Sequence, residues 1–177
     1  MISKKIICYP LKDKRKRFLL GRNGNSELLV VGLNPSTANE SSMDPTSKNI
    51  ESIANQNGFD GWWLVNLYPG RYPKPQDLPK KPKKNYLEQN LTIIDKIIQS
   101  EEFRIKNVLI CWGNNVNNRS YLKDQMKIIL KMFEGSKFSL SCIGITKLGN
   151  PIHPSPLSIN RFLGGLNQIK LKEFKHS

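Results

Sequence analysis

The sequence contains no apolar run that approaches the roughly 18–20 residues needed to cross a membrane. The opening Met-Ile-Ser-Lys-Lys is not followed by the apolar core of a signal peptide. We therefore expect a soluble, cytoplasmic protein with no membrane partner. A chain of 177 residues suits one domain, and we expect a monomer.

Cysteine is scarce, and the cofactor motifs are missing. The three cysteines are widely spaced and odd in number, which excludes a disulfide framework and a four-cysteine zinc site. There is no Gly-rich phosphate loop, no His-Glu metal motif and no Ser-His-acid pattern. We therefore expect neither a metal nor a nucleotide cofactor.

Acidic residues are also few, with 14 Asp and Glu against 28 Lys and Arg, for a net charge of +14. Residues 12–17 contain five basic groups, and a Pro-rich loop at 68–84 contains Lys80, Lys81, Lys83 and Lys84. A clustered positive field attracts polyanions, so we expect DNA or RNA as the partner. The alternative is a Lys-rich, solvated surface without a specific partner.

Apolar runs alternate with stretches of helical spacing. The runs typical of buried strands cover residues 28–32, 62–67, 107–113 and 138–145. Helical spacing covers residues 46–57, 86–99, 119–133 and 158–168. Residues 18–20 favour a further short strand, followed by a hairpin turn at residues 23–25.

This alternation predicts an α/β fold, a three-layer α/β/α domain with a central, mainly parallel four-stranded sheet. Residues 28–168 form its core, between a basic N-terminal segment with a hairpin (1–27) and a basic tail (169–177). In such sheets the ligand binds beyond the carboxyl ends of the strands. Asn34, Asn66, Trp112-Gly113 and the loop at His153 should therefore meet at one rim.

The loop at His153 is stiff, because three prolines in residues 151–156 remove backbone donors and fix φ. The chain has one other histidine, His176. A histidine held between prolines can donate a hydrogen bond to developing negative charge. The alternative is an ordinary surface histidine.

Three further polar residues are candidates for the same rim. Asn34 and Asn66 follow buried strands and each offers a donor and an acceptor to a substrate, although Asn also commonly caps or turns the backbone. Asp44 reads most simply as the N-cap of the helix at 46–57. It could also return to the rim as a general base.

Four motifs, taken together, resemble the uracil-DNA glycosylase superfamily. His153-Pro-Ser155-Pro-Leu157-Ser158 is similar to its DNA-intercalation loop, and Gly32-Leu-Asn34-Pro-Ser36 to its water-activating motif. Leu64-Val-Asn66 is similar to the strand that carries the base-reading Asn, and residues 109–113 to the apolar strand that ends in Trp-Gly. The chain also resembles an uncharacterised bacterial group with Asn-Pro-Ser-Thr-Ala and Asp-Pro-Thr motifs.

The resemblance implies a uracil-DNA-glycosylase-like fold and a monofunctional DNA glycosylase that flips a base into a pocket. His153 would stabilise charge on the departing base, Asn34 would hold the attacking water with help from Asp44, and Asn66 would read the base. Leu157 would wedge into the DNA. The residues implied at the DNA phosphates are Ser155, Ser158, Arg161 and the four lysines at 80–84. Trp63 is a candidate for stacking on the base, with Trp62 and Tyr68 as alternatives.

Two positions depart from the most uracil-specific branch, which has Asp where Asn34 stands and Tyr where Ser36 stands. In that branch the Tyr excludes a C5 methyl group, so the small Ser36 predicts a pocket that admits a C5 substituent. The expected substrate is a modified, damaged or mismatched pyrimidine, such as hypermodified cytosine of phage DNA, in repair or antiviral defence.

Two other functions are left open. A non-catalytic binder of DNA or modified bases is favoured by Asn34 in place of Asp. An enzyme acting on free nucleosides or nucleotides is opposed by the exposed wedge expected of Leu157 and by the net charge of +14.

Overall fold

The computed structural model describes residues 5–175, which form one mixed sheet with helices on both faces. Its strands are β1 (Ile7–Tyr9), β2 (Leu19–Arg22), β3 (Glu27–Gly32), β4 (Gly61–Asn66), β5 (Ile105–Ile110), β6 (Ser139–Cys142) and β7 (Lys172–Glu173). Its helices are α1 (Pro45–Gln56), α2 (Lys84–Gln99), α3 (Ser120–Phe133) and α4 (Pro156–Leu163). The predicted α/β class is confirmed.

The centre of the sheet consists of the four strands that the apolar runs predict. β3 pairs in parallel with β4 on one side and β5 on the other, and β5 pairs in parallel with β6. β3 and β4 are buried along their whole length, which accounts for their continuous apolar sequence. The carboxyl ends of these strands therefore lie at one edge.

The prediction of a four-stranded sheet is wrong. Within residues 5–175 the sheet has seven strands in the order β1-β2-β4-β3-β5-β6-β7, and β1, β2 and β7 pair antiparallel at its two sides. The missed strands β1 and β7 are three and two residues long and largely exposed. Such short edge strands carry too little apolar pattern to be found in a sequence.

The predicted hairpin at residues 23–25 is also wrong. β2 precedes β3 in the chain but pairs with β4, with Gly21 opposite Trp63, and β4 separates β2 from β3. The connection is instead anchored by Asp60, whose carboxylate accepts hydrogen bonds from the backbone of Asn25 and Ser26 at 2.7 and 2.8 Å. Placing β4 next to β3 gives the central apolar strand a parallel neighbour on both sides.

The side chains of β3 alternate between two apolar cores, one on each face of the sheet. Leu29 and Val31 belong to the core that packs under α2 and α3, and Leu28 and Val30 to the core under α1 and α4. This arrangement has the three layers that the sequence predicts. Asn66 lies on the face of the sheet covered by α1 and α4, because it is two residues beyond Leu64 on β4 and Leu64 belongs to that core.

None of the helices in the described range is long and apolar enough to span a membrane. His176 and the last residue of the predicted basic tail lie outside the described residues, as do the first four residues of the predicted N-terminal segment.

Candidate functional site

A cavity of about 440 Å³ lies beyond the carboxyl ends of the parallel strands. Asn34 follows β3, Asn66 ends β4, Gly113 follows β5, and His153 enters from the loop before α4; all four line the cavity. The structure thus brings together the rim positions expected from the sequence, except that Trp112 itself points into the core. A cavity of this size suits a small molecule or a single flipped nucleotide base.

Asn66 contributes an unsatisfied buried amide to the cavity. The residue is 2% exposed, and its Nδ2 has no hydrogen-bond partner within residues 5–175. Its backbone carbonyl is held by Asn90 Nδ2 at 2.8 Å, so the strand end itself is anchored. An unpaired buried donor is costly, which makes Asn66 a position that a ligand acceptor would satisfy.

Asn34 has a fixed amide orientation. Its Nδ2 donates to the carbonyl oxygens of Pro35 at 2.9 Å and Tyr72 at 2.8 Å. Two carbonyl acceptors assign the nitrogen to that side, so Oδ1 is left as an acceptor. Because Asn34 lines the cavity, this oxygen can hold a water molecule or a ligand donor but cannot act as a strong base.

His153 is a neutral hydrogen-bond donor in this site. Burial lowers the pKa of its imidazole to about 4, and the nearby carboxylate of Asp44 offsets only part of the shift. The backbone N–H of Ser155 donates to Nδ1 at 3.1 Å, so in the neutral ring the proton is on Nε2. At neutral pH, His153 can donate a hydrogen bond to a developing anion without carrying a charge.

Gly113 and Asn49 hold the histidine loop in place. Gly113 has φ 73°, and a Cβ on it would lie 2.9 Å from His153 Cβ, so only glycine leaves the required space. The Gly113 N–H donates to the carbonyl of Pro151 at 3.0 Å. From α1, Asn49 Nδ2 donates to the carbonyl of Pro154 at 2.9 Å.

Asp44 caps α1, as the sequence predicts, and it also lines the cavity. Its Oδ1 caps α1 by accepting from the Ser47 N–H at 2.8 Å and the Ser47 hydroxyl at 2.9 Å. Among the described residues, its Oδ2 accepts only one long hydrogen bond, from the Ala38 N–H at 3.4 Å. The same carboxylate lines the cavity, so Oδ2 is available to a water or ligand proton.

The remaining predicted site residues divide into two groups. The residues that line the cavity are Ser36, Ser155, Leu157, Ser158 and Arg161. Ser155 caps α4 by accepting from the Ser158 N–H at 3.4 Å, and Leu157, 78% exposed, projects at the mouth of the cavity. The four lysines at 80–84 do not line the cavity and are exposed.

The structure does not bring Trp63 to the cavity. Its side chain points to the face opposite Asn66, where Nε1 donates to Glu27 at 2.8 Å and the ring packs edge-on against Phe103. The reason is the two-residue period of a strand, which puts Leu64 and Asn66 on the cavity side and Trp63 on the other. The other aromatic candidates, Trp62 and Tyr68, are also core residues outside the cavity lining.

Sequence reasoning missed several cavity residues, of which Tyr72 and Arg17 bear most on the chemistry. Tyr72 stacks on Tyr68 with ring centroids 6.4 Å apart, and its backbone is tied to the motif after β3 through the N–H bond to Pro35. Arg17 belongs to the basic run at 12–17, which was expected to lie on the surface, but it is 2% exposed. The available signal was that Arg17 directly precedes the apolar run Phe18-Leu19-Leu20.

Within residues 5–175, no group of three or more His, Cys, Asp or Glu side chains is arranged to hold a metal ion. The cavity instead offers amide, imidazole, carboxylate and guanidinium groups.

A model of the family described as "Protein of unknown function (DUF1643)" matches residues 17–155 of the chain. That match includes Arg17 and all cavity residues up to Ser155. No curated protein and no solved structure shows a significant match.

Proposed function

The chain belongs to the DUF1643 family, whose function is unknown, and we propose that it is a monofunctional DNA glycosylase with a fold and site like those of the uracil-DNA glycosylase superfamily. The observation that carries the proposal is the buried, unpartnered amide of Asn66 in a base-sized cavity that also contains His153. A pyrimidine presents adjacent donor and acceptor groups on its Watson–Crick edge, which the amide of one Asn can pair with.

The chemistry proposed for the site is hydrolysis of the N-glycosidic bond. As the bond between C1′ and the base nitrogen breaks, its electron pair moves onto the base and places negative charge on O2. The neutral Nε2–H of His153 donates to that oxygen, and burial strengthens the hydrogen bond. Water then attacks C1′ of the oxocarbenium-like sugar and loses a proton.

Asn34 and Asp44 share the handling of that water. The free Oδ1 of Asn34 accepts a hydrogen bond from the water and orients it, while the only carboxylate among the cavity residues, Asp44, takes the proton. A weak base is sufficient when the departing base is a good leaving group. Ring stacking on the flipped base is proposed for Tyr72, which lines the cavity, in place of Trp63.

The DNA-binding surface is proposed at the mouth of the cavity. Leu157 is 78% exposed at the start of α4 and would fill the gap left by the flipped nucleotide. Arg161, one turn further on, and the exposed lysines at 80–84 would follow the phosphates. Binding through these cations should weaken steeply as salt increases.

The substrate is proposed to be a pyrimidine with a C5 substituent, because the small Ser36 lines the cavity at the position where the uracil-specific branch has Tyr. The test is a screen of oligonucleotides that contain uracil, a thymine mismatch or a C5-substituted cytosine, each incubated with the protein and then cleaved by alkali at abasic sites. Asn66→Ala is the matched control. Release of uracil alone would contradict the proposal that the cavity admits a C5 substituent.

A non-catalytic binder is the second candidate, and it is favoured by the bonding of Asn34 and Asp44. The Asn34 amide acts as a clamp between two carbonyls, and half of the Asp44 carboxylate caps α1. For a binder, the wild type would release no base in the screen yet would bind one modified DNA more tightly than unmodified DNA, and Asn66→Ala would abolish that preference.

A further inference from the structure

Arg17 places a nearly uncompensated positive charge in the wall of the cavity. It is 2% exposed and lines the cavity, and within residues 5–175 its side chain makes one hydrogen bond, from Nη1 to the Ala38 carbonyl at 2.9 Å. Its Nε is buried without a partner, and no carboxylate within residues 5–175 lies within salt-bridge distance. A buried charge of this kind is costly unless a counter-ion joins it.

Arg71 adds a second cation behind the first. Its Nη1 donates to the carbonyls of Ser36 at 3.1 Å and Ala38 at 2.8 Å, so both guanidinium groups meet at Ala38. Its other donors are occupied by the Asp13 carbonyl at 2.9 Å and the Cys8 sulfur at 3.6 Å. Arg71 therefore uses four of its five N–H donors, whereas Arg17 uses only one within residues 5–175.

The neighbouring groups do not cancel these two charges. Burial raises the pKa of the Cys8 thiol, so it is neutral at physiological pH. Burial and repulsion from Arg71 lower the pKa of Arg17 to about 10, which still leaves it protonated. Asp44 is the one carboxylate among the residues that line the cavity, where it attracts Arg17 and also caps α1. A second carboxylate, Glu40, acts electrostatically on Cys8 but does not line the cavity. Within residues 5–175 neither carboxylate forms a salt bridge with Arg17 or Arg71, so both guanidinium groups lack a direct ion pair.

We propose that the cavity contains an anion subsite in which Arg17, supported by Arg71, binds a phosphate or carboxylate group of the ligand. This deepens the proposed function, on which it rests for the identity of the ligand as a flipped nucleotide. Both arginines hold the backbone beside Ser36, the wall expected to face C5 of the base. The anion is therefore either a charged C5 substituent or a phosphate of the flipped nucleotide.

Direct binding distinguishes the two sources. Fluorescence anisotropy would compare oligonucleotides with a single 5-carboxycytosine and with a single 5-hydroxymethylcytosine, which are similar in size but differ in charge. The proteins are wild type, Arg17→Gln, Arg17→Lys and Arg104→Gln. The last is the charge-matched control, because Arg104 is exposed and does not line the cavity. Its Nη1 donates to Asn25 Oδ1 at 2.8 Å.

For a charged substituent, the wild type binds the carboxylate-bearing DNA more tightly, by roughly tenfold to a hundredfold, and Arg17→Gln abolishes the preference. For a nucleotide phosphate, Arg17→Gln weakens both DNAs equally and by more than Arg104→Gln does. In either case Arg17→Lys keeps part of the effect. If Arg17→Gln binds both DNAs as Arg104→Gln does, the subsite does not exist.

A measurement on the wild type covers the case in which Arg17→Gln does not fold. Inorganic phosphate, at concentrations too low for salt exclusion to stabilise the protein, should raise the thermal unfolding temperature along a saturating curve above that in chloride of equal ionic strength. No preference for the carboxylate and no protection by phosphate would overturn the proposal. The two proposals can fail separately, because DNA binding and base release are measured independently. A binding preference that depends on Arg17, without any base release, would contradict the glycosylase activity but not the anion subsite. Base release that is the same in wild type and Arg17→Gln, with no effect on binding, would contradict the subsite but not the glycosylase activity.

Discussion

Gly32 and Asn66 form the last register pair of β3 and β4, and a methyl group on Gly32 would lie 2.8 Å from Asn66 Oδ1. The absence of a side chain at one strand end therefore permits the amide of the neighbouring strand to stand in the cavity. Gly32 has no positive φ, so its role is space and not backbone conformation.

Gly32→Ala is expected to displace the Asn66 amide and reduce base release roughly a hundredfold, since a shift of about 1 Å at a reacting centre has that effect. Overpacking should lower the free energy of unfolding by about 1–3 kcal/mol. Asn66→Ala and the double variant complete a mutant cycle. If the methyl group costs as much stability without the Asn66 side chain as with it, the clash is not with the amide.

The stability of the protein should depend on pH through His153. Between pH 6.5 and about 4, His153 is protonated in the unfolded chain but remains neutral in the folded protein. The free energy of unfolding therefore falls as pH decreases through this range. The loss approaches about 3 kcal/mol for the full shift. Urea unfolding of wild type and His153→Asn across this range measures it, because Asn does not titrate. Parallel curves for the two proteins would contradict the low pKa.

Asn34→Asp should destabilise the protein instead of improving its catalysis. The carboxylate would face the carbonyl oxygens of Pro35 and Tyr72, which now accept from Nδ2. We expect a loss of about 1–3 kcal/mol in the free energy of unfolding. Asn34→Ala, which removes the donor without adding repulsion, should cost less. Asn34→Asp that is as stable as wild type would show that the amide is not a clamp.

The two roles of Asp44 can be separated by a pair of substitutions. Asp44→Asn and Asp44→Ala both lose the carboxylate charge that faces Arg17, so the cap is measured by their difference. Asn is as good an N-cap as Asp, and Asp44→Asn should therefore be more stable than Asp44→Ala by about 1 kcal/mol. Both variants remove the carboxylate that is proposed to accept the proton from water, and both should lose base release. Full activity of Asp44→Asn would exclude this residue as the base. The readouts are urea unfolding and single-turnover release.

Leu157→Ala should weaken binding to duplex DNA by roughly tenfold, because a leucine side chain would no longer be buried in the base stack. Stability should change little, since Leu157 is 78% exposed. Leu148→Ala is the matched control, as Leu148 is 69% exposed but does not line the cavity. Equal effects of the two substitutions, or an equal effect on single-stranded DNA, would contradict a wedge.

Several parts of the fold follow from local sequence pattern. The continuous apolar runs indicated the four parallel strands, and helical spacing indicated all four helices. Three of them agree with the predicted ends to within two residues, whereas α4 ends at Leu163, five residues before the predicted end. The rim at which Asn34, Asn66 and His153 meet was predictable for the same reason, because parallel strands end at a common edge. These features depend on periodicity and chain direction alone.

The tertiary structure decided what depends on partners distant in sequence. A strand buried on both faces has no polar residue to mark its sides, so only the fold showed that Trp63 faces away from Asn66. Only strand order showed that β2 pairs with β4 and not with β3. Arg17 reads as one more surface cation in a basic run, and its burial arises from packing beside Ala38 and Arg71. The sequence alone therefore determined which groups reach the rim, whereas their orientation and electrostatic balance required long-range packing.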